Sequence, residues 1–494
     1  MEFELKLEIP SDRLAALSAE LRVGETSRQR LQAQYFDTQD GALARHALVL
    51  RLRKEGQAWV QTAKGATKDS LERLEHNVAI ARTKAGGVPA LDLSRHAGTL
   101  VGDRIAQALT RTYGNTIPPL IPLYQTDVQR LKQNIEFAGS VLEVALDQGR
   151  IVAGPHAVAL CELEVELIAG KPEHAVQFAR DCCARHGLWL SMISKAMKGQ
   201  RLGSASPVVP AVFASAPAFK RRANAEQISI AVLQSCLSQV LGNASEVASG
   251  SQQLDHIHQL RVGIRRLRTA LSELRPLVPG LDLAWEAPLV ATFRALGQQR
   301  DQSHLALSLQ PLLETAGGPA VHSQSLGAGI PDPGLVVRSP AFQHSLLSLI
   351  SFVQGLATGK SGASSKDTKK VLSLSLQKLH SQVLKGGQKF LKLDESQQHQ
   401  VRKRLKHLRY LSEFVAPLYS TGRTDAFLSG LKPVQDALGM HNDELIALLA
   451  LRKLAEQDPL AWFGVGWLSA RRKPNAGICQ QELLAFAKLR PFWT

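Results

Sequence analysis

The sequence predicts an α+β protein of two domains, an antiparallel β domain over residues 1–202 and an all-α domain over residues 219–494, joined by a linker at 203–218. Three observations carry this. Before residue 203 short segments alternate apolar and charged residues with a period of two, and after residue 218 longer segments repeat at helical spacing. Between them runs GSASPVVPAVFASAPAF, rich in small residues and proline, which cannot continue a helix or a regular ladder. At 494 residues the chain has room for more than one core. With 44% hydrophobic and 21% charged residues it is composed as a globular protein. No window approaches the roughly 18 apolar residues of a membrane span. The N-terminus lacks the pattern of a signal peptide. Cys161, Cys182, Cys183, Cys236 and Cys479 have no zinc-type spacing. A reducing cytoplasm is the expected location, with no membrane partner.

In the first part the strands are FELKLEI, LVLRLRKE, AWVQTAK, RLEHNVAI, SVLEVALDQGRIVAG and LCELEVELIAG, separated by Gly, Pro and Asp turns. Within the fifth, DQG reads as a hairpin signal between two strands. The opening strand places Glu2, Glu4 and Lys6 on one face and Phe3, Leu5 and Leu7 on the other. The same charged alternation returns at Arg51/Arg53, Arg73/Glu75, Arg130/Lys132, Glu143/Asp147 and Glu162/Glu164/Glu166. A water-facing sheet also carries polar residues, but it mixes in Ser, Thr and Gln. Closing the sheet into a barrel explains the recurrence better, because alternate positions then gather around one axis. Unpaired charges there would be prohibitive. A polyphosphate with a divalent cation would neutralise them, its phosphates meeting Arg and Lys and its metal meeting carboxylates.

The stretch EFELKL resembles the Glu-x-Glu-x-Lys signature of the CYTH superfamily, which joins class IV adenylate cyclases with thiamine triphosphatases and includes inorganic triphosphatases. QYFDT, LRLR, QTAKG, RLE, TDVQR, LEVALDQG, CELEVEL and SKAMKG follow in the family's order over the first 200 or so residues. The resemblance implies a closed antiparallel eight-stranded β tunnel. It implies that Arg51, Arg53, Lys64, Arg130 and Lys195 hold phosphate oxygens, with Arg73 and Glu75 in the same catalytic set. It implies Mg2+ or Mn2+ held by Glu2, Glu4, Glu143, Asp147 and members of the set Glu162, Glu164 and Glu166, which share a face and are not told apart by the pattern. Lys6 lies on the face of Glu2 and Glu4, within reach of substrate or carboxylate. Two positions depart from the family: Asn77 stands where a further acidic residue is common, and Lys198 where an Arg is.

The second part carries most of the excess charge. The net charge is +16, and residues 203–494 hold roughly 33 Lys and Arg against roughly 20 Asp and Glu, which favours an anionic partner. IHQLRVGIRRLR sets Arg261, Arg265 and Arg268 after His258, and HQVRKRLKHLR sets Arg402, Lys406 and Arg409 at the same offsets after His399. At about 100° per residue each set of four falls on one helix face. LGQQRD (296–301) and LGMHND (438–443) follow at matching distances, so the unit is duplicated. The repeats resemble the CHAD domain, which implies two helical halves whose basic faces bind inorganic polyphosphate. His258 and His399 lack a zinc-ligand motif, so phosphate contact or packing is expected of them. ETAGGPAVHSQSLGAGIPDPGLVVRSP, between the halves, reads as a flexible loop.

The expected function is hydrolysis of inorganic triphosphate to pyrophosphate and phosphate in the first domain, with polyphosphate bound by the second and no nucleic acid expected as a partner. The alternatives are a non-catalytic polyphosphate scaffold and an enzyme acting on thiamine triphosphate or ATP, although no adenine-binding signature is present.

Overall fold

The alternating segments form nine antiparallel strands among the described residues: β1 (Glu2–Glu8), β2 (Ser27–Asp37), β3 (Leu48–Glu55), β4 (Ala58–Ala66), β5 (Glu72–Ile80), β6 (Ile121–Phe137), β7 (Ser140–Ala153), β8 (His156–Ala169) and β9 (Trp189–Leu190). The computed structural model describes residues 2–67, 72–81, 87–204, 209–321, 330–358 and 364–494. The strand order is β5-β4-β3-β2-β6-β7-β8-β1-β9, and β1 pairs in addition with β5. The strand beyond the expected eight is β9, whose two residues pair with Leu7 and Glu8.

The DQG segment is not a turn. Asp147, Gln148 and Gly149 lie within β7, and there each residue is paired in regular register with β6 on one side and β8 on the other. The glycine is there for closeness: a Cβ at Gly149 would run into the backbone carbonyl of Asp127 on β6. Asp147 is wholly buried, which no turn residue at a hairpin tip would be.

Among the described residues five α-helices accompany the sheet: α1 (Leu14–Glu20), α2 (Ala42–Arg45), α3 (Leu100–Tyr113), α4 (Pro172–His186) and α5 (Lys195–Gly203). α4 begins with Pro172 in its first turn and stops at Gly187 in the left-handed region, φ 65°. Its buried Val176, Ala179 and Cys183 belong to a side that packs on β1 and β8. The apolar residues of β1, Leu5 and Leu7, are fully buried, each adding about 1.5–3 kcal/mol. α5 is capped by the Ser194 hydroxyl, which accepts the Met197 N–H at 3.2 Å, so its first residue, Lys195, has a fixed starting point.

The helical part contains α6 (Ala225–Ala248), α7 (Leu254–Leu274), α8 (Glu286–His304), α9 (Gln310–Thr315), α10 (Pro333–Arg338), α11 (Pro340–Thr358), α12 (Ser365–Gln388), α13 (Glu395–Val415), α14 (Thr421–Leu454) and α15 (Ala461–Phe486). α7 packs on α8 and α13 on α14, and α7 and α13 also touch. Each repeat is thus a basic helix against its LG-containing partner. α13 opens on a capping box formed by Asp394 and Gln397. The segment read as a loop between the halves includes α10, with the Asp332 carboxylate accepting the Leu335 N–H at 2.8 Å; residues 322–329 of it lie outside the described set. By compactness the chain divides into a unit of Met1–Val212, Leu241–Ser251 and Val337–Gly355, and a unit of the remaining residues. Within the proline-rich stretch, the N–H and C=O of Val212 are both satisfied by the Asn243 side chain, at 3.1 and 2.8 Å. No helix among the described residues is long and apolar enough to cross a membrane.

Gly199 of α5 lies against the Tyr124 ring, where a Cβ would collide with it, and that ring is stacked on Tyr35 with centroids 4.7 Å apart. Gly199→Ala is expected to lose about 1–3 kcal/mol through overpacking, outweighing the ~1 kcal/mol that helix propensity alone would add. A urea midpoint equal to or above the wild type's would show that α5 is not wedged against β6.

Candidate active site

Strand register builds the site. Across β1, β8, β7 and β6, Glu8, Glu162, Asp147 and Arg130 lie in one row, with Lys6, Glu164, Ala145 and Lys132 in the next and Glu4, Glu166, Glu143 and Asn134 in a third. Residues two apart on a strand share a face, so all three rows point the same way. That face is enclosed: Asp147 and Glu162 are 0% exposed and Lys6 is 6% exposed. It is an interior lined by charge.

The Arg130 guanidinium forks onto Asp147, Nε to Oδ1 at 2.7 Å and Nη2 to Oδ2 at 2.6 Å, and also donates to Glu164. From α5, the Lys195 ammonium lies 2.7 Å from Asp147, 2.5 Å from Glu162 and 2.7 Å from Glu164. Lys6 stands 3.4 Å from Glu164, 3.7 Å from Glu4 and 3.8 Å from Glu162. Lys198 donates to Glu8 at 2.6 Å and lies 3.2 Å from Glu162. Burial alone would lower the Lys195 and Lys6 ammonium pKa values, but the carboxylates outweigh it, raising Lys195 well above the ordinary lysine value and Lys6 above it. Burial likewise pushes Glu164 up, yet Lys195, Arg130 and Lys6 hold it well below the usual carboxylate range.

A second cluster sits on β2 to β5. Glu75 is paired with Lys64 and lies 4.0 Å from Arg51. Asn77, the departure from the family pattern, accepts from the Thr62 hydroxyl at 2.7 Å and donates to Glu75 at 2.9 Å. Its amide thus positions a carboxylate instead of supplying one. Tyr35 lies directly across from Arg51 on the neighbouring strand. Burial would raise that phenol, but Arg51, with Lys195 and Lys64 nearby, brings it below the ordinary tyrosine value. Arg51 and Arg130 are close enough to repel, so the two clusters face one space.

The structure therefore brings together Lys6, Arg130, Lys195, Asp147, Glu162 and Glu164, and beside them Arg51, Lys64 and Glu75. Arg53 is turned to Glu55, at 2.5 Å, and Glu143 to Lys132, at 2.9 Å. Glu4 is at the margin, and Glu166 pairs across from Glu4 and Glu143. The side chains of Glu2 and Arg73 lie outside the described set. Tyr35 and Glu8, which are not among the candidate residues, join the lining, as does Lys198, the other departure from the family pattern. Glu8 was visible as the next charged position of β1. Nothing in a local pattern could have placed Tyr35 against Arg51.

Asp147, Glu162 and Glu164 each offer an oxygen within 4.8 Å of the others. Such hard donors suit Mg2+ or Mn2+. Glu162 Oε1 is buried and faces cations, the ammonium of Lys195 at 2.5 Å and that of Lys6 at 3.8 Å, as fits a group that serves a cation. The donor set fits the metal.

In the helical part, Arg261 lies over the Phe293 ring at 4.4 Å, and a Cβ at Gly297 of the LG motif would strike its guanidinium. Arg265 also approaches that ring, at 5.5 Å, and Arg268 bonds Glu286 at 2.8 Å. His258 lies half-buried on α7. In the second repeat His399 bonds Asn442 at 3.0 Å, Arg402 pairs with Asp443 at 3.7 Å and Arg409 with Glu413 at 2.6 Å. Lys406 is half-buried on the same helix. Burial and the surrounding Lys403, Arg402 and Lys406 keep the His399 pKa below the usual histidine value, against the opposing bond from Asn442. Arg266, a neighbour outside the predicted face, is buried and bonds Gln239 and the Ser215 carbonyl, both at 3.0 Å, so it is structural.

Glu164 supplies a direct test of this electrostatic arrangement. Its depressed pKa means that the unfolded state binds the proton first as pH falls. The stability it contributes is present above about pH 4.3, the unfolded glutamate value, and is lost as pH falls through the lower folded value. Glu164→Gln is expected to lose about 3–5 kcal/mol at pH 7 by stranding buried cations, and to show a shallower loss of stability between about pH 4.3 and pH 3 than the wild type. Parallel acid-unfolding curves, followed by circular dichroism, would contradict it.

The CYTH domain profile matches residues 1–199 and the CHAD domain profile residues 231–452. Over 209 residues the chain is 29% identical to the inorganic triphosphatase of Haemophilus influenzae, a match covering 41% of this chain and spanning 55% of that relative's length. The crystal structure of the CHAD domain from the plant Ricinus communis is similar over 57% of this chain and 98% of that one, with 26% identity and a TM-score of 0.50. The chain thus carries a CYTH domain over residues 1–199 and a CHAD domain over residues 231–452.

Proposed function

We propose that the CYTH domain, over residues 1–202, hydrolyses inorganic triphosphate to pyrophosphate and phosphate with Mg2+ or Mn2+, and that the CHAD domain, within residues 219–494, binds inorganic polyphosphate. The observation that carries the first half is the enclosed face on which Arg51, Lys64, Arg130, Lys195 and Lys6 adjoin the trio Asp147, Glu162 and Glu164. The similarity to an inorganic triphosphatase favours the same reading. The second pairing of β1, to β5 as well as β8, supports a sheet closed into a tunnel around that face.

Phosphoryl transfer from a linear triphosphate needs alignment and charge neutralisation more than covalent help. Arg51 and Arg130 offer planar donors to phosphate oxygens, and Lys64 and Lys6 offer point charges. Asp147, Glu162 and Glu164 would hold the divalent cation, which when bound offsets phosphate charge and acidifies water. Tyr35 aligns Arg51, and Asn77 aligns Glu75. Burial of the face excludes bulk water and strengthens each contact.

Glu4 separates function from stability. Its ion pair is a long one, 3.7 Å to Lys6, so Glu4→Ala should cost no more than about 1 kcal/mol of stability. As a metal-facing carboxylate, its loss should lower turnover of triphosphate about 100-fold. Phosphate release with Mg2+ or Mn2+, with ATP and thiamine triphosphate as parallel substrates, measures this; wild-type rates at limiting metal and substrate would contradict the assignment.

In the CHAD domain, Arg265 has no carboxylate partner among the described residues, whereas Arg268 must exchange Glu286 for a ligand. Arg265→Glu with Arg268→Glu is expected to weaken polyphosphate binding about tenfold or more, with a shallower salt dependence. Reversing Arg471 and Arg472 should do much less, since each already has a carboxylate, Glu444 at 3.0 Å and Glu395 at 2.7 Å. Equal losses at about 0.15 M salt would make the repeat's basic face an ordinary solvated surface.

A further inference from the structure

We infer that Lys195 is the resident counter-ion of the acidic trio, and that its ammonium and a divalent cation occupy that place alternately. The inference rests on the metal-dependent reading above and adds what must leave for a metal to enter. Lys195 Nζ is within 2.7 Å of an oxygen of each of Asp147, Glu162 and Glu164. An Mg2+ or Mn2+ ion bound by these oxygens would sit about 2.0–2.2 Å from them, in nearly the volume the ammonium fills. The two cannot coexist there.

Of the cations around the trio, Lys195 is the one built to withdraw. Arg130 is forked onto Asp147 by two hydrogen bonds and projects from the middle of a paired strand. Lys6 stands farther off, no closer than 3.4 Å to the trio, and Lys198, which touches only Glu162 of the trio at 3.2 Å, is held more closely by Glu8 at 2.6 Å. Lys195 instead reaches in from the first residue of α5 on an unbranched, flexible stem. A cation at a helix N-terminus is opposed by the helix dipole, so the carboxylates are what hold it. Once a metal takes those oxygens, Lys195 is both unheld and repelled.

The exchange has a direction useful to the reaction. Asp147, Glu162 and Glu164 carry three negative charges, set against the positive charges of Arg130, Lys6 and Lys195. Replacing the ammonium by a dication makes the space more positive and frees Lys195 for a phosphate oxygen. Metal and triphosphate then bind with positive coupling that passes through this side chain, and each must raise the affinity for the other by the same factor.

The test is Mn2+ binding to the full chain without substrate, followed by the electron paramagnetic resonance signal of free Mn2+. Lys195→Met should bind Mn2+ about tenfold or more tightly than the wild type, while Lys171→Met, which removes an exposed lysine, should not. Wild-type protein supplies an independent measurement should the variant fail to fold: acylation of the Lys195 amine, read by peptide mass spectrometry, should rise severalfold when Mg2+ is added. Mn2+ binding by the wild type that Lys195→Met leaves unchanged or weaker overturns the inference alone, as does acylation of Lys195 that Mg2+ does not increase. Absence of Mn2+ binding in both proteins, with and without triphosphate, overturns the metal reading and this inference with it.

Discussion

Charge neutrality on an enclosed surface is the constraint around which the CYTH domain is arranged. Two acids without solvent exposure, Asp147 and Glu162, could not remain ionised in so dry a place without cations at hydrogen-bond distance. Arg130 comes from the neighbouring strand, Lys6 from the chain start, and Lys195 from a helix that must be docked before its side chain can arrive. The contact of Gly199 with Tyr124 is part of this electrostatics, because it sets how deeply α5 sits. The apolar face of the same strands supplies the ordinary hydrophobic stabilisation, and the polar face makes assembly of the elements interdependent.

The alternation of charge was legible because a strand has a strict period of two, and any residue's face follows from its neighbours'. Glu162, Glu164 and Glu166 could therefore be put on one face without a structure, but not ranked. Ranking needed register: pairing to Asp147 and Lys6 brings the first two to the trio and leaves Glu166 opposite Glu4 and Glu143. DQG misled because glycine has two meanings in a β segment, a turn or a close approach, and the collision that identifies the second involves Asp127, distant in sequence. The helices beside the sheet were legible in principle, since α3 buries Val101, Ile105, Ala108 and Leu109 and α4 buries Val176, Ala179 and Cys183 at helical spacing, but the period-two alternation of the neighbouring strands dominated the reading. Arg53 shows the remaining limit: it stays close enough to Arg51 and Arg130 to be repelled by them, yet its guanidinium is already paired with Glu55 two residues on.

In the CHAD domain the repeat was readable from spacing, since matched offsets on a helix fix one face whatever the tertiary setting. What spacing did not reveal was that much of the basic face is already occupied within the protein. Arg268, Arg402 and Arg409 have acidic partners, and Arg261 is spent on a ring and a carbonyl. A polyanion reaching such a face would exchange partners rather than fill empty positions, which makes discrimination between ligands depend on how well each replaces a carboxylate.

The two LG motifs are equal in sequence and unequal in circumstance. Gly297 lies against the captive guanidinium of Arg261, while nothing stands within 4 Å of where a Cβ would be at Gly439. After duplication, then, one copy of the glycine is under steric obligation and the other is at liberty. The second repeat is therefore where this domain has latitude to take a side chain and acquire new contacts, while the first is held to its packing.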